Sequence, residues 1–263
     1  MLATIAQLRY SILTSNVTTP TYASVIDRPD VLQILAGETL AGWDYRLAEA
    51  DDELAMFEAE IAGIADDLVA GHAAAWWWRP LERRRQSMVA DDIDAVLAHI
   101  DGLAELHATT SATGLMASTS TWLSNDLPAA QLADPGFVAR RPNARCWSVT
   151  VHPGAAVFDV QTAADIGRLC ETYPLDMPTP PSGRNRGVTT DRVLLPDWAA
   201  IAADWDGVHL SVSGQLDATG IPIRVGNRTA LWLEADSEMT LWFSNVLDVD
   251  RELASVGEIT TRW

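Results

Sequence analysis

The stretch Glu234-Ala235-Asp236-Ser237-Glu238-Met239-Thr240-Leu241-Trp242-Phe243 joins three alternating carboxylates to an apolar run. Side chains two residues apart on an extended chain share a face, so a strand over 229–243 would point all three carboxylates the same way. The β-branched and aromatic residues at 240–243 are typical of a buried strand, which predicts that Glu238 lies where the strand enters the core. Carboxylates this close repel one another, so such a row is solvated, binds a cation or serves chemistry. A solvated edge strand that uses charge against aggregation is the alternative.

The composition narrows the function classes. The chain has 263 residues, enough for one large or two small domains, and a formal net charge of −18. This charge disfavours general electrostatic binding to nucleic acid or to anionic membranes. All 18 basic residues are arginine. The composition therefore excludes Schiff-base enzymes, pyridoxal-phosphate enzymes and Walker-A phosphate loops, because each needs a lysine amine.

Cysteine and histidine spacing predicts no metal site. Cys146 and Cys170 are far apart and form no Cys-x-x-Cys, so they are interpreted as reduced core residues. The five histidines show no ligand-like pairing, and the common nucleotide-loop, metalloprotease, serine-hydrolase and EF-hand motifs are absent. With no basic leader at the N-terminus and no apolar run of about 18 residues, the sequence predicts a soluble, cytoplasmic protein without a membrane partner.

The hydrophobic pattern divides the chain into three parts. Residues 1–26 are predicted to form a first strand, carrying Arg9, and a loop. Residues 27–108 are predicted to be an acidic helical segment, with apolar residues at helical spacing on two faces. Residues 109–263 are predicted to be β-rich. The fold class is therefore α+β. The residues that define the two helical faces are Leu54, Phe57, Ile61, Ile64 and Leu68 in the first, and Ile93, Val96, Leu97, Ile100 and Leu103 in the second.

A tryptophan and arginine cluster lies between the two predicted helices. It runs Trp76-Trp77-Trp78 and continues through Pro80 to Arg83-Arg84-Arg85. Such a cluster is either an aromatic and cationic platform for a nucleotide or partner, or a corner with buried tryptophans. The corner is the favoured interpretation.

The β-rich part contains several short strand patterns. Ser118-Thr119-Ser120 lies in a hydroxyl-rich segment that is either a strand near a ligand or another backbone, or an ordinary Ser/Thr-rich linker. Alternation over 147–151 and the run 155–160 predict two strands joined by a turn at His152-Pro153-Gly154. A helix over 163–173 follows, and the proline-rich residues 174–196 are a candidate flap.

Three of these features occur in an order that resembles the ADP-ribosyltransferases of the arginine–serine–glutamate class. They are Arg9 on the first strand, Ser118-Thr119-Ser120 after the helical segment, and Asp236-Ser237-Glu238 before the last core strand. Residues 148–160 also look like the paired strands that follow the Ser-Thr-Ser strand in that family. The resemblance implies a split β-sheet domain, with the acidic helical segment as an insertion, and NAD as the substrate.

The resemblance also implies a role for each matching residue. Glu238 would stabilise the oxocarbenium-like centre that forms when nicotinamide leaves NAD, and would hold the ribose 2′-hydroxyl. Ser118 would orient Glu238, Asp236 would activate the acceptor, and Arg9 would bind the pyrophosphate. Thr119 and Ser120 would belong to the NAD-binding surface. A competing match, left open, uses Arg145, Ser211-Val212-Ser213 and Glu238.

The sequence therefore predicts an ADP-ribosyltransferase-like enzyme that transfers ADP-ribose from NAD to a macromolecular acceptor. The negative charge favours a protein acceptor over nucleic acid. By resemblance, a toxin or a phage or bacterial conflict factor is the expected setting. The alternative from another class is a non-enzymatic, acidic protein-interaction or immunity module, whose tryptophans are core residues and interface anchors. A carbohydrate-active protein that uses carboxylates and tryptophan platforms is a third interpretation.

Overall fold

The structure of the chain, a computed structural model, describes residues 66–67, 70–71, 75–101, 117–122, 129–133, 138, 140–178, 190–218, 222–232 and 238–260. The predictions for Arg9, for the helical face from Leu54 to Leu68, and for Glu234 and Asp236 lie outside these residues. The described residues form a mixed α/β fold in which strands predominate and the helices are short. None of those helices is both long and apolar enough to cross a membrane.

The described strands and helices follow one another in an irregular order. The strands are β1 (Gln86–Ala90), β2 (Ala117–Thr121), β3 (Arg145–Val151), β4 (Val157–Val160), β5 (Pro174–Pro178), β6 (Arg192–Pro196), β7 (Gly207–Leu210), β8 (Pro222–Val225), β9 (Arg228–Leu231), β10 (Met239–Trp242) and β11 (Leu247–Ser255). The helices are α1 (Ile93–Asp101), α2 (Ala163–Thr172), α3 (Trp198–Ala202), α4 (Val212–Ala218) and α5 (Val256–Thr260), with short 3₁₀ helices at Ala75–Trp78 and Ala130–Ala133.

The strands form two sheets. The larger has seven strands in the order β11-β3-β1-β2-β10-β7-β4, and the smaller has four in the order β5-β6-β9-β8. Pairing is antiparallel except at β4–β7 and β6–β9. The buried strand expected at 240–243 is confirmed as β10, in the interior of the larger sheet, but one continuous strand over 229–243 is not formed, because β9 ends at Leu231 in the smaller sheet. The neighbours of β10 are β2 and β7.

Each face of the larger sheet packs against helices. On one face, Leu210 and Leu241 join a core cluster with Ile166 and Leu169 of α2 and Trp198 of α3. The other face contributes a second cluster, in which Met88, Val149 and Trp242 meet Ile93 and Ile100 of α1. The removal of these apolar side chains from water is the main contribution to the free energy that holds the sheet between its helices.

Glycine at position 207 is required by this packing. Gly207 lies opposite Trp242 in the pairing of β7 with β10. A Cβ at this position would lie 2.7 Å from the carbonyl oxygen of Leu241 and 2.8 Å from the Trp242 ring. Only a residue without a side chain lets β7 approach β10 this closely.

The structure confirms several local predictions. The helix predicted from Ile93 is α1, and the helix predicted over 163–173 is α2. Trp77 is fully buried in a 3₁₀ turn and makes an edge-on contact with Trp76, whereas Trp76 and Trp78 are only partly buried. The corner interpretation is therefore confirmed for Trp77 alone, because the cluster leads into β1 and Arg83 and Arg85 donate to backbone carbonyl oxygens. Both cysteines are unpaired and buried, and burial raises the pKa of each thiol to about 12.

Other predictions are wrong because the secondary structure and the strand neighbours of these segments depend on pairing with residues distant in the sequence. The segment predicted to be helical contains β1, which pairs with both β2 and β3 in the interior of the sheet. The strands on either side of His152-Pro153-Gly154 do not pair with each other, since β3 lies between β11 and β1 while β4 pairs with β7 at the far edge. The ends of the candidate flap at 174–196 are the paired strands β5 and β6. Strand propensity depends on such partners more than on the local sequence.

Candidate functional site

Four neighbouring strands place a row of polar side chains on one face of the larger sheet. His209 of β7 lies opposite Asp159 of β4 and Thr240 of β10, and Thr240 lies opposite Thr119 of β2. Residues directly opposite in a sheet share a face, as do residues two apart along one strand. Glu238, two residues before Thr240, therefore belongs to the same row.

His209 connects two carboxylates in this row. Its Nδ1 lies 2.8 Å from Asp159 Oδ1 and its Nε2 lies 2.9 Å from Glu238 Oε1. The side chains of His209 and Glu238 are each only 3% exposed, whereas that of Asp159 is 33% exposed. We refer to Asp159, His209 and Glu238 as the acid–histidine triad. The triad extends from β4 through β7 to the residue before β10, and its solvent-exposed member is Asp159.

The triad holds its histidine in the charged form. Burial by itself lowers the pKa of His209, but the hydrogen bonds and the negative charges of Asp159 and Glu238 outweigh this effect and raise the pKa to about 9. At neutral pH the imidazolium therefore donates a hydrogen bond from each ring nitrogen to a carboxylate. With two anions and one cation, the triad carries a net charge of −1 inside the protein.

Asp159 is stabilised as an anion. Partial burial raises its pKa, but hydrogen bonds from His209 and the Leu81 backbone N–H, with the charges of His209 and Arg83, have the larger combined effect and leave the pKa below its usual 3.8. The N–H of Leu81 donates to Asp159 Oδ1 at 3.0 Å. Arg83 is itself fixed, because its guanidinium donates to the carbonyl oxygens of His152 and Ala155.

Glu238 is oriented by Thr121 of β2. The backbone N–H of Thr121 donates to Glu238 Oε2 at 2.7 Å, and the Thr121 hydroxyl donates to Oε1 at 2.7 Å. With His209 on Oε1 as well, both carboxylate oxygens accept charge-assisted hydrogen bonds. The Glu238 side chain therefore has a fixed position at the start of β10.

A second set of hydrogen bonds supports Thr121. The Gln86 amide donates to the Thr121 hydroxyl at 3.2 Å and accepts from the Thr119 hydroxyl at 2.8 Å. The Trp242 indole N–H donates to the Thr119 hydroxyl at 2.9 Å. The Thr240 hydroxyl is buried and has no hydrogen-bond partner among the described residues. Apart from that group, the row is a satisfied network, which makes this part of the sheet rigid.

The predicted Ser-Thr-Ser strand is confirmed as β2, but its serines face away from Glu238. Ser118 Oγ accepts from Gln131 Nε2 at 2.7 Å, and Ser120 Oγ accepts from the Gln131 backbone N–H at 3.2 Å. The expected role of Ser118 in orienting Glu238 is therefore taken by Thr121, because side chains alternate along the strand. Thr119 and Ser120 are fully buried, so their side chains are closed to the predicted contact with NAD.

Of the two predicted arginines, Arg145 alone belongs to the described residues, and it does not lie beside Glu238. Arg9 lies outside the described residues, as does Asp236. In the competing match, Arg145 begins β3 and pairs with Glu252 at the surface, at 2.7 Å. Three strand spacings and four residues of rise separate Arg145 from Glu238, or about 20 Å.

The hydroxyl motif of the competing match does not form a strand. Ser211 follows the last residue of β7 and α4 begins at Val212, so the motif turns away from the sheet. The Ser211 hydroxyl donates to the Val160 carbonyl at 2.8 Å and lies 3.0 Å from the Ser213 hydroxyl. These serines therefore connect α4 to β4 and do not contact Glu238.

Sequence reasoning missed Asp159, His209 and Thr121. A usable signal was present, because Val157-Phe158-Asp159-Val160 and Gly207-Val208-His209-Leu210 each place one titratable residue within an apolar strand. A buried titratable group needs a partner. The sequence did not show that these two strands are adjacent.

No family model, curated protein or solved structure matches the chain. Among the described residues, no group of three or more histidine, cysteine, aspartate or glutamate side chains is arranged to hold a metal ion. In the triad, the histidine and carboxylate atoms already bond to one another. The arrangement offers a fixed internal anion and one solvent-facing carboxylate.

Proposed function

We propose that the chain is an ADP-ribosyltransferase-like enzyme that cleaves NAD and transfers ADP-ribose to a macromolecular acceptor. The observation that carries the proposal is the position of Glu238. This carboxylate immediately precedes β10, which lies between β2 and β7, and is held in one orientation by Thr121 and His209. The formal net charge of −18 favours a protein acceptor over nucleic acid.

The chemistry requires a fixed anion. As the bond from nicotinamide to ribose breaks, its electron pair leaves with nicotinamide, and positive charge develops on the ribose C1′ and ring oxygen. An oriented negative charge in a low-dielectric site lowers the energy of this transition state more than that of the bound substrate. Removing one donor from an oxyanion hole costs about 10²–10³ in kcat, and by analogy we expect a loss of this size when Glu238 loses its charge.

The test compares wild-type protein with Glu238→Gln, which has nearly the same shape without the charge. Nicotinamide release from NAD is followed by NMR, with and without cell lysate as acceptor. We expect release by the wild type and a loss of about 100-fold or more in Glu238→Gln. Glu171→Gln changes an exposed glutamate of α2 and serves as the matched control. Equal release by wild type and Glu238→Gln would remove Glu238 from the proposal.

A second function, a non-enzymatic acidic interaction module, is favoured by the burial of Glu238. A carboxylate that is 2% exposed and bonded on both oxygens is satisfied by its neighbours in the fold, and such an arrangement needs no substrate. This function predicts no nicotinamide release and no NAD binding by calorimetry, with Glu238→Gln changing stability alone. Calorimetry with NAD on the full chain therefore separates the two functions before any acceptor is known.

A further inference from the structure

We propose that Asp159 is the carboxylate of the acid–histidine triad that meets the substrate, with His209 and Glu238 behind it. The inference rests on the proposed function and changes which residue contacts the ribose. Glu238 is oriented but enclosed, so a second group must carry the negative charge of the triad to the surface. Asp159 is the member that reaches solvent, since its side chain is 33% exposed while those of His209 and Glu238 are 3% exposed.

The hydrogen bonds of Asp159 leave one oxygen available. Oδ1 accepts both from His209 Nδ1 at 2.8 Å and from the Leu81 N–H at 3.0 Å. Within the described part of the chain, Oδ2 accepts no hydrogen bond. One oxygen therefore fixes the orientation of the carboxylate, and the other is left for a ribose hydroxyl or for the charge on C1′.

The residues around Asp159 keep its carboxylate ionised and fix its position. Its strand, β4, is held in parallel register with β7, and His209 lies directly opposite. Arg83 contributes positive charge nearby, and its guanidinium is anchored to two backbone carbonyls. Asp159 is one-third exposed, so a substrate that covers it would exclude water from a carboxylate whose orientation is already fixed, and its charge would then act on C1′ with little screening.

The reaction at this site balances without an added cofactor. The bond between ribose C1′ and the nicotinamide nitrogen breaks, and its electron pair leaves with neutral nicotinamide. A lone pair of the acceptor forms the new bond to C1′, and the proton of the acceptor passes to water. Asp159 forms no covalent bond, and its charge stabilises the cationic C1′ while the two bonds exchange.

The first test compares Asp159→Asn with Asp250→Asn in nicotinamide release from NAD. Asp250 is a matched control, because it lies on β11 at the opposite edge of the same sheet and accepts from Ser148 and Thr150 of β3. We expect kcat to fall about 100-fold or more in Asp159→Asn, with KM changed by less than about threefold. Asp250→Asn is expected to match the wild type.

The second test uses the wild-type chain and does not depend on the folding of a variant. Carbodiimide and an amine label exposed carboxylates, and mass spectrometry measures the labelling of Asp159 and Asp250. A carbocyclic NAD analogue, which cannot lose nicotinamide readily, is expected to slow labelling of Asp159 at least about fivefold and to leave Asp250 unchanged.

The outcomes separate the two proposals. Loss of activity in Glu238→Gln but not in Asp159→Asn, with no protection of Asp159, would overturn the role of Asp159 and leave the enzyme function standing. A wild-type protein that neither releases nicotinamide nor shows protection by the analogue would overturn both. If Asp159→Asn does not fold, protection of Asp159 in the wild type decides alone.

Discussion

The two edges of the larger sheet carry ionic groups in opposite settings. At the β4 side, His209 and Glu238 are almost completely buried and bond to each other and to Asp159. At the β11 edge, Arg145 and Glu252 approach within 2.7 Å, but their side chains are 55% and 36% exposed. The nitrogen–oxygen distances at the two edges are similar, but the exposure of the side chains to solvent is very different. Because water screens the surface pair, its charges are worth little, whereas removing a charge from the buried triad leaves an unpaired one behind.

The largest expected effect comes from removing the central histidine. His209→Leu would leave Glu238 and Asp159 without their shared cation, and we expect a loss of about 3–5 kcal/mol in the free energy of unfolding. Urea unfolding at pH 7 measures it. His152→Leu, at an exposed turn, is the control and is expected to cost less than about 1 kcal/mol. A loss in His209→Leu no larger than in the control would mean that the triad is not an energetic unit.

The next effect is the pH dependence of stability. The pKa of His209 rises from 6.5 in the unfolded chain to about 9 in the folded protein, so the folded state binds the proton more tightly. This stabilisation is fully present below pH 6.5 and is lost as the pH rises through 9, with a maximum of about 3 kcal/mol.

Urea unfolding between pH 6 and pH 10 tests this dependence. Glu238→Gln removes one of the two anions that raise the pKa of His209, so the decline should be smaller in this variant. A wild-type stability that stays constant between pH 6.5 and 9 would contradict the charged form of His209 in the fold.

The smallest effect is expected at the exposed pair. Arg145→Ala removes the partner of Glu252 at the sheet edge, and we expect a change of no more than about 1 kcal/mol, reduced further by salt. Unfolding in 0.05 M and 0.5 M salt measures both quantities. A cost at Arg145 that equals the cost at His209 would show that burial does not explain the difference between the two edges.

Part of the fold could be predicted from local sequence. The apolar spacing from Ile93 to Ile100 predicted α1, and the alternation from Trp147 to Val151 predicted β3. Apolar spacing was sufficient to predict these two elements because each buries one face, and the spacing of the apolar residues shows which residues lie on that face. β1 was not predicted, since all five residues of Gln86–Ala90 are buried and the segment therefore has no alternation of buried and exposed positions.

In the candidate site, too, some residues could be predicted from local sequence and others depend on long-range strand pairing. Glu238 could be identified as the residue where an acidic run enters the core, and it is buried there. Its partners could not be identified, because Thr121 and His209 are separated from it by 117 and 29 residues. Ser118, the expected partner, lies three residues before Thr121, and an odd offset along a strand places the two side chains on opposite faces. A one-residue shift moves a side chain to the opposite face of a sheet.

The sequence by itself determined the charge, the absence of lysine chemistry, the buried strand at 239–242 and the position of Glu238 at its start. These properties depend on composition and on the local alternation of polar and apolar residues. Only the tertiary structure decided that β2, β10, β7 and β4 are neighbours, and so that Thr121, Glu238, His209 and Asp159 form one network. The physical reason is that strand pairing joins segments distant in the chain, and one local pattern is compatible with many partners.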